Sequence, residues 1–324
     1  MIRYSFIIPV KAINDYVREA IPKILEMARG DFEIIVYPDE ATDESWPRAK
    51  QIATGPGGPA MKRTLAIRDA IGEIIIFVDD DAYPRKDFLE KLDEVFADAD
   101  IVAVAGPAVT PADDGFWQKV SGAVFLSGLS GGFPERYAPV GSKKFVDDWP
   151  SVNLSVRKEV FTAVGGFNSA FWPGEDTLFC EEITRKTGKK IWYVPDVIVY
   201  HHRRKGFFRH LKQVGAYGLH RGFFAKKFGG ASFKFQYFLP SLFLIFVVGG
   251  GALSFFSPLA AKLCAAGWLV YFLAMVKVFF DINKYEKNLA VSLCALGYVF
   301  VTHLVYGLYF LKGLFVEDLK SKLR

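Results

Sequence analysis

The run Ile74-Ile75-Ile76-Phe77-Val78, followed at once by Asp79-Asp80-Asp81, constrains this chain more than any other stretch. Apolar, mostly β-branched residues in an unbroken run read as a strand buried on both faces, as in a parallel sheet. Carboxylates at the C-terminal end of such a strand stand where open α/β sheets hold their ligands. Three of them together repel one another unless something positive sits among them. A hard divalent cation holding a phosphate meets that need. A second acidic pair, Glu175-Asp176, follows Gly174 at the start of a helical pattern. Carboxylates there complement the helix dipole. Combined with the first cluster, they also offer a general base for an incoming hydroxyl.

The surrounding pattern alternates. Strands are expected at Tyr4–Val10, Phe32–Tyr37, Ile74–Val78 and Ile101–Ala105, with helices over Asp15–Met27, Pro59–Ile71 and Phe88–Phe96. This order predicts an α/β fold with a doubly wound, mostly parallel sheet. Between about Thr110 and Pro150, Gly, Ser and aromatic residues dominate, and loops with a surface helix facing an acceptor are expected. Regularity returns at Ser151–Val156. Helices over Arg157–Val164 and Asp176–Thr187 follow, then strands at Lys190–Val194 and Val197–Tyr200. Asp39, ending the second strand, can receive the polar edge of a nucleotide base. Arg63, near the start of a helix, can meet a diphosphate.

Hydrophobic content is 51%, and the excess is concentrated after Tyr237. Three apolar segments, Phe235–Phe256, Leu259–Phe280 and Leu289–Leu311, each approach the ~20 residues that cross a bilayer. Lys262 and Lys277 lie near the ends of the middle one, where long side chains snorkel. No Asp or Glu occurs between Asp196 and Asp281, whereas Arg203, Arg204, Lys205, Arg209, Lys212, Arg221, Lys226, Lys227 and Lys234 all do. Such a block beside apolar segments fits an anionic cytoplasmic leaflet better than a nucleic acid. Within it, Phe207–Phe228 reads as a basic amphipathic helix lying in the membrane surface. Met1-Ile2-Arg3 leads straight into a strand, so a cytoplasmic N-terminal domain on an integral membrane protein is expected. Cys180, Cys264 and Cys294 lack metal-ligand spacing and read as small thiols. Three crossings would leave the C-terminus outside, although Lys312, Lys320, Lys322 and Arg324 favour the inside. A re-entrant or interfacial segment would remove that conflict.

A set of motifs in order carries a resemblance: Ser5-Phe-Ile-Ile-Pro-Val10, Glu33-Ile-Ile-Val-Tyr-Pro-Asp39, Lys62-Arg63, Phe77-Val-Asp-Asp-Asp81, Asn153-Leu-Ser-Val-Arg157, Gly165-Gly-Phe167, Gly174-Glu-Asp176 and Val194-Pro-Asp-Val-Ile-Val-Tyr-His201. Together they resemble a family 2 glycosyltransferase of the GT-A fold. The segment Thr302–Gly313 is similar to membrane-anchored members that build exopolysaccharide repeat units on lipid carriers.

The resemblance implies an inverting, hexosyltransferase-like enzyme that moves a sugar from a nucleotide diphosphate sugar to a polyprenyl-phosphate or lipid-linked glycan with Mg²⁺ or Mn²⁺. It implies metal ligation by Asp79, Asp81 and His201 (or His202). Donor contacts would come from Pro9, Asp39, Arg63, Asp79, Asp80 and Asn153, and catalysis from Asp176 with Glu175. Arg203, Arg204, Gln213 and Arg221 would face the membrane and acceptor. Two departures stand out: Pro38-Asp39 replaces the usual acidic pair, and Arg63-Thr64 replaces Arg-Asn. Gln213 is followed by Val-Gly-Ala-Tyr rather than the Gln-x-x-Arg-Trp of processive synthases, which implies single-sugar addition. A processive synthase, or an inactive scaffold binding nucleotide or lipid, is the alternative. The domains expected are 1–202 catalytic, 203–234 interfacial and 235–324 membrane.

Overall fold

We describe a computed structural model of the chain over residues 1–319; Lys320, Lys322 and Arg324 of the basic tail lie outside the described residues. The strands are β1 (Tyr4–Pro9), β2 (Phe32–Tyr37), β3 (Ala49–Gln51), β4 (Ile74–Phe77), β5 (Ala82–Pro84), β6 (Ala103–Ala105), β7 (Ala108–Val109), β8 (Lys144–Val146), β9 (Leu154–Arg157), β10 (Ile191–Tyr193) and β11 (Val199–His201). The helices are α1 (Asp15–Leu25), α2 (Pro59–Thr64), α3 (Ala66–Asp69), α4 (Phe88–Phe96), α5 (Phe116–Ala123), α6 (Lys158–Val164), α7 (Glu175–Thr187), α8 (Phe207–Lys227), α9 (Phe235–Ile245), α10 (Gly251–Ser254), α11 (Pro258–Glu286) and α12 (Leu289–Phe315). They form two compact units. The first comprises Met1–Pro111 and Ala138–His202, the second Ala112–Tyr137 and Arg203–Leu319.

The first unit is built on a sheet of order β3-β2-β1-β4-β9-β6-β10-β8. Strands β1, β2, β3 and β4 pair in parallel, as do β6 and β10. β9 runs antiparallel between β4 and β6, and β8 runs antiparallel on the edge. All residues of β1, β2 and β4 are buried, because helices cover both faces; this is why they read as unbroken apolar runs. Alternate residues serve opposite cores. Phe6, Ile8, Ile34 and Ile76 pack with Val17, Ile21 and Leu92, while Ile7, Ile35, Ile75 and Phe77 pack with Phe161, Phe179 and Ile183. A second sheet, β5-β11-β7, carries the residues after the acidic triplet.

The helix expected over Pro59–Ile71 is broken into α2 and α3. Thr64 Oγ1 donates to the Ala60 carbonyl (2.9 Å) and accepts from the Phe167 N–H (3.0 Å). A threonine turned back on its own helix bends it.

The second unit is helical. α5 is not a free surface helix: its Val120, Ser121, Gly122 and Ala123 are buried. The buried side of α8 is lined by Val214, Gly215, Gly218 and Gly222. A Cβ on Gly222 would lie 2.1 Å from the Phe310 carbonyl oxygen, and one on Gly313 2.2 Å from that of Leu219. Only glycine lets α8 and α12 approach this closely. His210 is fully buried, with Nδ1 2.8 Å from Ser121 Oγ and Nε2 2.9 Å from Thr302 Oγ1. Three segments, Gly230–Ser254, Pro258–Glu286 and Leu289–Phe315, are long and apolar enough to cross a membrane.

Candidate active site

The end of β4 delivers Asp79, and β5 begins directly after Asp81. Because β5 pairs antiparallel with β11, Ala82 stands opposite His201. The pairing brings His201 Nε2 to 3.1 Å from Asp81 Oδ1. One ligand atom from each of Asp79, Asp81 and His201 lies within 4.8 Å of the others. Two carboxylate oxygens and an imidazole nitrogen on rigid strand ends fit a divalent cation such as Mn²⁺ or Mg²⁺. The middle carboxylate is held apart: Asn14 Nδ2 donates to Asp80 Oδ2 (2.7 Å), while Asn14 Oδ1 caps α1 by accepting from the Val17 N–H (3.0 Å).

Arg63 joins the two acidic clusters. Its Nη2 donates to Asp79 Oδ1 (2.6 Å) and its Nη1 to Glu175 Oε1 (2.9 Å). The side chain is 3% exposed and lies 5.4 Å from the Phe167 ring centroid. Burial opposes the guanidinium charge, but Asp79, Glu175 and Asp176 more than restore it. Burial pushes the Glu175 carboxyl upward and Asp176 adds to this, while Arg63 pulls it down. Glu175 is buried at the first turn of α7; Asp176, beside it, is half-buried, and its Oδ1 accepts from the Thr177 N–H (2.9 Å). The expected diphosphate contact, Arg63, thus has both terminal nitrogens engaged by protein carboxylates.

The other expected donor contacts fall into two groups. Pro9 ends β1, and Asp39 follows β2 with its carboxylate ion-paired to Lys62 Nζ. Lys62, 2% exposed, also donates to the Val10 carbonyl (2.7 Å), so a buried ammonium fixes Asp39 in place. Asn153 is fully buried, and its Nδ2 donates to the carbonyls of Pro107 (2.9 Å) and Val197 (2.8 Å). It ties together the segments leading to β7 and β11 from inside the fold. His202 turns away from the triad, its ring 4.9 Å from that of Tyr16 and its Nε2 3.3 Å from Glu19.

In the second unit, Arg203 is buried, with its guanidinium 5.0 Å from the Tyr137 ring centroid. Arg221 lies 4.6 Å from the Tyr237 centroid and donates to Ser232 Oγ (3.1 Å). Arg204 is half-buried, and Gln213 donates to the Tyr217 hydroxyl (3.0 Å). Sequence reasoning missed Asn14, and it quoted Lys62 within the Lys62-Arg63 motif without giving it a role. The signal for Asn14 was an N-cap residue directly before a helical pattern; for Lys62 the motif did not disclose that its ammonium is buried against Asp39.

The family model "Glycosyl transferase family 2" matches residues 5–161. The chain carries a family 2 glycosyltransferase domain. The pre-mycofactocin glycosyltransferase of Mycobacterium tuberculosis is 27% identical over 198 residues, 60% of this chain and 38% of that relative; the chain therefore spans well under half of that protein's length. A Methanococcus voltae dolichyl N-acetyl-α-D-glucosaminyl phosphate 3-β-D-2,3-diacetamido-2,3-dideoxy-β-D-glucuronosyltransferase is 21% identical over 333 residues, 96% of each chain. Among solved structures, the mannosyltransferase PcManGT of Pyrobaculum calidifontis, in complex with GDP-Man and Mn²⁺, matches with a TM-score of 0.60 and 17% identity, covering 98% of this chain and 88% of its own. The glycosyltransferase domain thus shares the GT-A arrangement of a mostly parallel sheet.

Proposed function

We propose that the chain transfers a sugar from a nucleotide diphosphate sugar to a lipid-linked acceptor at a membrane, with inversion and one sugar at a time. The observation that carries this reading is the junction at Arg63, which gathers a cation-type triad and the first turn of α7 around one guanidinium. In this reading Asp39, braced by Lys62, meets the nucleotide base. Asp176 takes the proton from the acceptor hydroxyl. The hydroxyl oxygen then bonds to the anomeric carbon on the face opposite the diphosphate, whose bond to that carbon breaks. Glu175 holds Arg63 and does not itself touch the acceptor. A divalent cation held by Asp79, Asp81 and His201 would neutralise charge on the departing diphosphate as a Lewis acid.

The lipid-linked acceptor is supported by the three long apolar segments and by the name of the M. voltae relative, which specifies a dolichyl phosphate-linked sugar. The nucleotide donor is supported by the GDP-Man complex of the fold neighbour. The acid-free basic stretch supports a cytoplasmic catalytic domain. The test is transfer of radiolabelled sugar from a panel of nucleotide sugars into organic-extractable lipid of the source membranes. Asp176→Asn is expected to lower it by at least ~100-fold with donor binding intact. Near-parental turnover would remove Asp176 from the role.

A further inference from the structure

We infer that α12 lies along the membrane interface and does not cross the bilayer, so that its exposed apolar stripe meets the boundary between headgroups and acyl chains. The inference rests on the membrane reading above and assigns the bilayer-facing surface within it. By length and composition α12, with 27 residues, qualifies as a span. Its partners do not allow it.

α8 runs beside α12 from Tyr298 to the end of that helix and in the same direction. Phe207 packs on Tyr298 (4.7 Å between ring centroids), His210 bonds Thr302, Gly222 abuts Phe310, and Lys226 Nζ reaches the Val316 carbonyl (3.4 Å). Were α12 to cross, Thr302, at its midpoint, would sit at the bilayer centre. Arg209 and Lys212, both exposed and flanking His210, would sit there with it. Ionisable side chains at that depth face a protein interior or a water-filled cavity, not lipid.

Elsewhere α12 is no freer. Toward its start Val291, Ser292 and Ala295 are buried, and just past its midpoint His303 Nε2 lies 3.3 Å from the Ser130 carbonyl, in a stretch of turns. Non-helical backbone of this kind does not face hydrocarbon.

α9–α10 and α11 behave differently. Phe235–Phe256 contains no charged residue, and Leu259, Leu263, Leu269 and Phe272 of α11 are all well exposed. They make a hairpin of two crossings. On α12 the exposed Leu293, Leu308 and Phe315 recur at near-whole helical turns and so share one stripe, opposite the buried Ala295, Thr302 and Phe310. With two crossings the chain returns to the side of α5 and α8. There the exposed Lys312 agrees with the positive-inside rule.

The test uses the full chain in nanodiscs, with Cys264 and Cys294 replaced by serine and a nitroxide placed in turn at Leu293→Cys, Leu308→Cys, Phe315→Cys and, in α11, Phe272→Cys. Depth is read from collisions with oxygen and with a nickel chelate. The three α12 labels are expected at one shallow depth, within the outer ~5–10 Å typical of in-plane helices. Labels at Leu293 and Phe315 on opposite surfaces, about 33 Å apart at ~1.5 Å per residue, would overturn the inference. The α11 label should report the bilayer centre. If it reports water, the membrane reading itself fails, an outcome separate from a tilted or crossing α12.

Discussion

Arg63 and Asn14 hold the acidic residues in place through hydrogen bonds of their own. The Arg63 guanidinium is the shared counter-charge of Asp79 and Glu175. Removing one member of a buried ion pair leaves the others uncompensated, at about 3–5 kcal/mol. Arg63→Met is therefore expected to lower the melting temperature strongly, and adding Glu175→Leu should restore part of the loss. A double variant less stable than the single one would contradict this pairing.

Asn14 has separable duties, capping α1 and holding Asp80. Serine caps a helix about as well as asparagine, but its hydroxyl is too short to hold Asp80. Asn14→Ser should leave the melting temperature of the cation-free protein unchanged and, by untethering Asp80 between the ligands Asp79 and Asp81, weaken Mn²⁺ binding by about 10–100-fold, the usual scale for loss of outer support at a metal site. Unchanged affinity in a calorimetric titration would reduce Asn14 to a helix cap. At this scale the sequence was informative where chemistry is local. Three adjacent carboxylates after a buried strand announce themselves, but the partner of Arg63 lies 112 residues away. Nothing in the local pattern distinguishes a diphosphate contact from an internal ion pair.

Elements are positioned by a few polar ties between apolar faces. Under the sheet, Arg3 and Arg29 converge on Asp93, Arg29 also pairs with Asp31 (2.6 Å), and the Tyr4 hydroxyl donates to Asp93 (2.6 Å). The start of β1, the turn after α1 and the middle of α4 are thereby joined. Burial alone would raise the Asp93 carboxyl, but Tyr4 and Arg29 hold it below its ordinary range; Arg29 likewise holds Asp31 down. A carboxyl depressed by the fold adds stability above the ordinary aspartate value near 4 and loses it as pH falls through the lower folded value. Asp93→Asn should lower the melting temperature at pH 7, and the gap to the parent should narrow from about pH 4 downward. A gap constant from pH 7 to pH 3 would rule the linkage out.

Long periodic elements were legible: α4 coincides with its expected span, and β2 does too. The short strands β3, β5, β7 and β8 were not, because pairing partners define them rather than any pattern of their own. The tight contact of α8 with α12 was also hidden, since glycines at positions 218 and 222 declare small size but not which helix approaches them.

At the scale of the molecule, the α/β unit and the apolar helical unit were both visible in the composition shift near Tyr237. That Ala112–Tyr137 belongs with the helical unit was not, because its aromatic and glycine content carries no periodicity. The proposed function rests on a cation-dependent nucleotide site at Asp79, Asp81 and His201. Its most direct measurement is calorimetric titration of the full chain with a panel of nucleoside diphosphates, in Mn²⁺ and again in excess chelator, for the parent and for Asp81→Asn. Saturable binding in Mn²⁺ that is abolished both by the chelator and by the substitution is the predicted result. Equal affinity with and without the chelator, or parental affinity in Asp81→Asn, would contradict it.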